Sequence, residues 1–353
     1  MAALSISNHL KKLQQTMKKY SVLFTALAVI ALAGCKKEES RNMNGIVIGG
    51  ETYQNADKQA YSPDFQYVMF DGTDDILWNG VVYPYTMIDN PSTRNEVTTY
   101  SSYAVLDVPA DAIVDDVTIL YPGVADLEVD ENIVMVDETP NAGLPNQITN
   151  CVWPMGYHSS HFTHHGQIML KNAVAIVSPA VKYGLPCFQN IVTNNPTYFP
   201  DMTAADFATV ADLPTMVVTS VELLSTGAKL TGNAHVAFDE AEIPSLVMDD
   251  PMGDGADVLT AEAPNMGIAI PAAGNNFKIV GNIPVTPNLA GATFQMKVYF
   301  DLYMSTGAVL HCVYVGDSRT LGADDFTRNL RTTCIANMFT AQNYTKVRIL
   351  SAE

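Results

Sequence analysis

The feature that most constrains this fold is a rhythm. From residue 44 onward, short runs of β-branched and aromatic residues alternate with Gly, Pro, Asn and Asp. Such runs read as strands bounded by turns. They fall at 64–70, 76–83, 97–106, 117–121, 132–136, 167–177, 215–224, 234–238, 267–270, 277–280, 293–300, 309–314 and 344–350. Asn79-Gly80 inside the second run predicts a tight hairpin turn. The run 167–177 is almost wholly apolar after Asn172, which predicts a strand buried on both faces. Strands at this spacing, without helical periodicity between them, predict an all-β chain of two tandem β-sandwich domains. The expected domains are 44–160 and 161–353, divided after Pro154-Met155-Gly156 and before the long buried run. Two stretches read as helical. Residues 204–210 fit a short surface turn. In 324–338, Phe326, Leu330, Cys334 and Met338 recur every fourth residue behind Asp324 and Asp325, which predicts one amphipathic helix.

The first 34 residues read as an address. Lys18-Lys19 precede an apolar run at 21–33. At about 13 residues it is short of the ~20 that cross a bilayer. A basic start, a short apolar stretch and small closing residues mark a secretory signal peptide. It ends on Leu32-Ala33-Gly34-Cys35, which resembles a bacterial lipobox. That resemblance implies cleavage before Cys35 and acylation of Cys35. Met17-Lys18-Lys19 has the form of a usual signal opening, so residues 1–16 read as an upstream over-extension of the start. Residues 35–43 form a polar tether that carries Arg41 as a candidate processing site. No other segment holds eighteen uninterrupted apolar residues, so the lipid is the expected membrane attachment.

Charge narrows the partners. The chain has 19 Lys+Arg against 37 Asp+Glu, a net charge of −18. Loss of residues 1–34 removes Lys11, Lys12, Lys18 and Lys19 and no acid, which takes the charge to −22. So acidic a surface repels phosphate backbones, and nucleic acid is not an expected partner. Hydrophobic residues make up 48% of the chain and charged residues 16%, a balance that excludes intrinsic disorder. Beyond Cys35, the cysteines are Cys151, Cys187, Cys312 and Cys334. An exported setting permits disulfides, and three pairings are open, as are buried free thiols.

Several strands in order resemble the fimbrillin-like surface lipoproteins of Bacteroidetes. Ala104-Val-Leu-Asp107 followed by Val117-Thr-Ile-Leu-Tyr-Pro122 is similar to a strand pair of that family's first domain. The run 169–177 is similar to the strand that opens its second domain. Val218-Thr-Ser-Val-Glu-Leu223 with Leu230-Thr-Gly-Asn-Ala-His-Val-Ala-Phe238, and then Gly267-Ile-Ala-Ile-Pro-Ala272, follow in the family's order. The resemblance covers most of residues 45–315. It implies two tandem sandwiches of Greek-key, transthyretin-like form on an outer-membrane, cell-surface lipoprotein. Family roles are fimbrial shaft, anchor or tip subunit, or adhesin, with other subunits or host and bacterial surface ligands as partners.

In the family's shaft subunits an Arg-directed protease removes the first strand, and a neighbour's terminal strand fills the groove. Carried onto this chain, the first strand is 44–50 with Ile46, Val47 and Ile48. The donor is 344–350 with Val347 and Ile349. The arginines depart from that scheme. Arg41 precedes the first strand and Arg94 lies well inside the domain, which favours an accessory, anchoring or non-fimbrial role.

Other constellations each have a blander reading beside the chemical one. His158, His161, His164 and His165 are dense enough to hold Zn²⁺ or Cu²⁺, yet they read more simply as a solvated interdomain loop. Asp249, Asp250, Asp254 and Asp257 offer hard ligands to Ca²⁺. The EF-hand spacing is missing, and an acidic turn is the plainer reading; Asp71, Asp74 and Asp75 read the same way. Trp78, Tyr83, Tyr85, Trp153 and Tyr157 read as strand core or as a sugar-stacking platform. The platform defines the alternative function, a non-polymerising glycan-binding lipoprotein of a polysaccharide uptake system. No catalytic motif such as G-x-S-x-G, H-E-x-x-H or a Walker A loop is present, so neither an enzyme nor a cofactor is expected.

Overall fold

A computed structural model describes residues 43–51, 54–55, 75–89, 92–94, 97–99, 102–135, 149–150, 154–163, 167–250, 256–264, 267–272, 277–287 and 289–353. The run predicted at 64–70 lies outside them. Residues 44–353 form one compact unit. The expectation of an all-β fold is met: strands dominate the described residues.

Among these residues eight strands form the first sheet. They are β1 (Met43–Gly50), β2 (Ile76–Trp78), β3 (Val81–Tyr83), β4 (Tyr85–Asp89), β5 (Ser102–Pro109), β6 (Val117–Tyr121), β7 (Met155–Ser159) and β8 (Gln167–Asn172). Their order is β3-β2-β6-β7-β8-β1-β5-β4. The edge strands β3 and β4 are consecutive in the chain, with Pro84 alone between them. The sheet therefore curls until its edges approach, and it encloses Ile46, Ile48, Trp78, Leu106, Ile119, Met155 and Leu170. The predicted hairpin joins β2 to β3: Asn79 and Gly80 take φ of 47° and 78°, the left-handed pair that a type I′ turn requires.

The chain leaves the first sheet at Ala173-Val174 and enters a two-layer sandwich. One layer is a five-stranded sheet around β9 (Ala175–Tyr183). The other is a nine-stranded sheet built on β10 (Thr215–Thr226), β11 (Ala256–Glu262), β12 (Thr293–Tyr303) and β13 (Val309–Val315). The chain then returns to the first layer as β14 (Leu330–Met338) and ends on the second as β15 (Val347–Ala352). Val177, Val181, Ala336 and Met338 meet Val218, Val221, Phe300 and Leu302 in one core. A three-stranded sheet of Asp126–Val129, Gly232–Phe238 and Pro244–Met248 covers the crossing. Its Leu127, Ala234 and Leu246 pack on Ala173, Val174 and Ile176.

Two local readings are corrected. The run 167–177 is not one strand: it breaks at Ala173-Val174 into β8, whose alternate residues are exposed, and β9. Residues 324–338 are not a helix. Phe326 sits in a tight loop and 330–338 is a strand, paired in parallel with β9 from Ile176↔Arg331 to Tyr183↔Met338. Thr332, Thr333 and Ile335 are β-branched and resist helical χ1 crowding. The recurrence at every fourth residue combines a loop residue, Phe326, two half-buried strand residues, Leu330 and Cys334, and the buried Met338. The helix that does form, α1 (Leu185–Asn194), follows Gly184 and has Pro186 in its first turn. Pro is tolerated there because that N–H has no helical partner. Its buried face carries Cys187, Phe188, Ile191 and Val192. The stretch 204–210 forms 3₁₀ turns at Ala204–Asp206 and Val210–Asp212. Asp206 accepts hydrogen bonds from the Thr203 N–H and hydroxyl, as Asp212 does from Thr209.

Candidate strand-exchange site

Sequence order would make the first strand a natural edge. The structure places it inside. β1 lies between β8 and β5 and runs parallel to β8 from Val47↔Gln167 to Gly50↔Leu170. Alternation sends Ile46 and Ile48 inward, both 0% exposed. Val47 is half-buried on the other face. Full burial of an aliphatic side chain is worth roughly 1.5–3 kcal/mol, so these two anchor the strand. On the outward face the neighbours of Val47 are Gly45 and Gly49. At Gly49 a Cβ would lie 2.5 Å from Gln167 Nε2 and 2.8 Å from Met169 Sδ. The flexible ends of two exposed β8 side chains lie over the bare backbone there.

Past Gly50 the ladder continues, with the Glu51 N–H donating to the Leu170 carbonyl at 2.8 Å. Glu51 then meets a polar cluster made of Asn172 at the end of β8 and Arg328 and Asn329 from the second sandwich. Arg328 Nη1 donates to Glu51 Oε2 at 2.7 Å and to the Asn172 carbonyl at 2.8 Å. Asn172 donates from its backbone N–H to Glu51 Oε2 at 3.1 Å, and from Nδ2 to the Glu51 carbonyl at 3.1 Å and to Asn329 Oδ1 at 2.7 Å. Residues 54–55 then pair in parallel with Leu330 and Arg331 of β14.

The other candidate element, β15, is an edge strand among the described residues. It pairs antiparallel with β13 from Tyr314↔Val347 to Leu310↔Ala352, with a bulge at His311/Cys312. Val347 is buried, Ile349 packs against the core, and Leu350 is 55% exposed. His311 ties the end down. Its Nδ1 lies 2.7 Å from Asp301 Oδ1 and its Nε2 lies 3.6 Å from Glu353 Oε1. The hydrogen bond to Asp301 holds the His311 pKa above the usual value. Lys346 is ion-paired with Asp317.

The remaining sequence-predicted residues do not converge. Cys35, Arg41, His164, His165, Asp254, Trp153 and Cys151 lie outside the described residues. His158 Nδ1 contacts Thr118 Oγ1 at 3.0 Å, and its ring tilts against Phe238. His161 is exposed. Asp249 pairs with His235 at 2.5 Å, and Asp250 is exposed. Asp257 accepts from the Leu230 and Thr231 N–H groups and the Thr231 hydroxyl, as the brace of a turn. Among the described residues no three His, Cys, Asp or Glu gather as a metal-binding group. Trp78 is a core residue, 1% exposed, whose Nε1 donates to the Ala112 carbonyl at 2.9 Å. Among the described residues no disulfide forms. Cys187 and Cys312 are buried thiols, and burial pushes both up to about 12.

Sequence reasoning missed Glu51, Asn172, Arg328 and Asn329. Nothing in periodicity links residue 51 to residue 328. Covariation between distant positions is the signal that finds such a pair.

No family model matches the chain, and no curated protein matches it. Several solved structures are similar. A fimbrial protein from Bacteroides vulgatus has 10% identity and a TM-score of 0.36, covering 88% of this chain and 98% of that one. A candidate cell adhesion protein from Bacteroides ovatus has 10% identity and a TM-score of 0.34, covering 88% and 97%. A fimbrial protein from Bacteroides ovatus has 9% identity and a TM-score of 0.28, covering 83% and 48%.

Proposed function

We propose that this chain is a lipid-anchored cell-surface protein of the fimbrillin-like kind, a structural, anchoring or adhesive subunit rather than an enzyme. It is held to the outer membrane through Cys35. In this reading residues 44–160 and 161–353 are its two domains; the second lends β8 to the first sheet, and the first lends residues 54–55, 132–135 and 149–150 to the sheets of the second. The observation that carries the reading is the position of β1. The segment that follows the lipobox and tether is an interior strand, and its Ile46 and Ile48 complete the core of a sheet otherwise built from residues 76–172. A core completed by a strand from one end of the chain is the physical basis of strand complementation: main-chain hydrogen bonds give affinity and alternate pockets give specificity.

β15 is the strand best placed to be offered to a second subunit, because one of its edges is unpaired among the described residues. An exposed edge with an apolar residue such as Leu350 is a ready template for another strand. Arg41 precedes β1, so a cut after it leaves β1 in the chain, and this supports an anchoring or accessory role over a shaft role.

The test is limited digestion of residues 36–353 with an Arg-specific protease, followed by negative-stain electron microscopy and SDS gels without boiling. Filaments or SDS-resistant ladders that disappear on deletion of residues 344–353 support polymerisation. A stable monomer with β1 still attached supports the anchoring role. Saccharide binding without self-association would replace both with the glycan-binding alternative.

A further inference from the structure

Two chain segments cross side by side from the first sheet to the sandwich. One runs from β1 into residues 54–55, and the other runs from β8 into β9. They enter the five-stranded sheet on either side of β14. Glu51 lies on the first crossing, Asn172 on the second, and Arg328 and Asn329 on the loop that leads into β14. The four side chains join both crossings to that loop.

The loop itself is strained. Phe326 and Asn329 adopt φ of 50° and 59°, a left-handed conformation that is costly for a bulky residue. Both are buried, Phe326 fully, with its ring edge-on to Phe294 at 4.8 Å. Non-glycine residues held this way persist where the surroundings over-determine them, and they cluster at clamps and switches. Asn172 adds a second cost. It is 0% exposed, and its Oδ1 accepts no hydrogen bond among the described residues. A junction that carries both costs is held by its charge-assisted bonds, above all Arg328 to Glu51.

We propose that Glu51, Asn172, Arg328 and Asn329 form a latch that couples retention of β1 in the first sheet to the order of the 324–329 loop and the start of β14. Departure of β1 withdraws Glu51 from Arg328. The strained loop then relaxes and the β9–β14 edge loosens. Conversely, a loop that withdraws Arg328 frees β1. The latch deepens the strand-complementation reading and rests on it. The chain gives it a proteolytic consequence, because no Lys or Arg stands between Met43 and Asp57, with Lys58 next. A fragment released by cuts at Arg41 and Lys58 carries Glu51 with it and leaves only by breaking the latch.

The test is amide hydrogen exchange on the full chain and on Arg328→Gln, Glu51→Gln, the double variant, and Arg319→Gln as control. Arg319 pairs with Asp325 at 2.8 Å on the same loop and does not touch Glu51. Removal of a charge-assisted hydrogen bond corresponds to roughly 10- to 100-fold in an opening equilibrium. Arg328→Gln and Glu51→Gln are therefore each expected to speed exchange at Ile46, Ile48 and Leu330–Cys334 together by about that factor. The double variant is expected to be no faster than the faster single one, and Arg319→Gln to leave β1 unchanged. If Arg328→Gln does not fold, Glu51→Gln alone decides. Acceleration confined to 324–329, with β1 rates as in the parent chain, overturns the latch. In a parallel arm β1 is cut from the Arg328→Gln protein at a specific protease site placed at 52–53; failure of a labelled peptide of residues 43–51 to enter the cut protein overturns strand complementation and leaves the latch measurement standing.

Discussion

Ile48 is the side chain on which the position of β1 can be weighed. It is fully buried, opposite Ile168 in the β1–β8 ladder. Ile48→Ala removes three carbons, at about 0.8 kcal/mol for each buried CH₂, or about 2.4 kcal/mol of transfer free energy. The cavity left behind raises the loss to roughly 2–5 kcal/mol where the surroundings relax little. Little relaxation is expected, because Ile46, Trp78, Leu106 and Leu170 enclose the site from several strands. With a urea m-value of about 3 kcal/mol/M, a loss of 3 kcal/mol moves the midpoint by about 1 M without changing the slope. Val47→Ala on the same strand is the control. Its side chain is half-buried on the outer face, and it is expected to cost about 1 kcal/mol or less. The assay is urea unfolding followed by tryptophan fluorescence in a Trp153→Phe background, which leaves Trp78 of the same cluster as the reporter. Equal costs at 47 and 48 would refute the inward orientation of Ile48, and with it the claim that β1 completes this core.

Three further outcomes are expected. Because the folded-state pKa of His311 is raised, its contact with Asp301 and Glu353 contributes stability that is fully present below the unfolded pKa of about 6.5 and is lost as pH rises through the folded value. Intrinsic-rate-corrected exchange at 309–315 and 347–353 is therefore expected to quicken between pH 6 and 8.5, and His311→Gln to abolish that dependence. Cys187 and Cys312, with thiols pushed up to about 12, are expected to resist alkylation at pH 8 in the folded protein and to react in denaturant; rapid native labelling would contradict their burial. Gly267→Ala is expected to destabilise the chain by about 1–3 kcal/mol, because Gly267 has φ of 74° and a Cβ would meet Val217 Cγ1 at 2.3 Å and the Val218 carbonyl oxygen at 2.9 Å; unchanged thermal unfolding would argue against that turn.

The legible parts of this fold were those written in local chemistry. Asn79-Gly80 announced its hairpin because few other pairs accept two left-handed residues. The run after Asn172 announced burial on both faces, and β9 has it, packed between the two cores; but 167–177 is not one strand, because it breaks at Ala173-Val174, and Gln167 and Met169 of β8 face outward. The failures came where tertiary partners decide. Residues 330–338 form a strand because β9 offers a parallel ladder and a hydroxyl to receive Arg331, whose Nε donates to Ser178 Oγ at 2.8 Å. No local pattern contains that information. Ile46 and Ile48 were readable as an alternating apolar pair, yet their interior position depends on β8, more than a hundred residues away. The clasp of Glu51 with Arg328 was not readable at all, since it joins residues whose neighbourhoods in sequence share nothing.

The most direct test of the central claim is strand exchange in trans. A specific protease site placed at Thr52-Tyr53 allows β1 to be cut from the folded chain, and a fluorescent peptide of residues 43–51, which keeps Glu51, is then offered to the cut protein. The account predicts that the peptide replaces β1 at one equivalent and dissociates slowly. Peptides that carry Asp at the positions of Ile46 and Ile48 should fail to bind. A cut protein that sheds β1, stays folded and ignores the peptide would contradict it, because the first sheet would then be complete without its first strand.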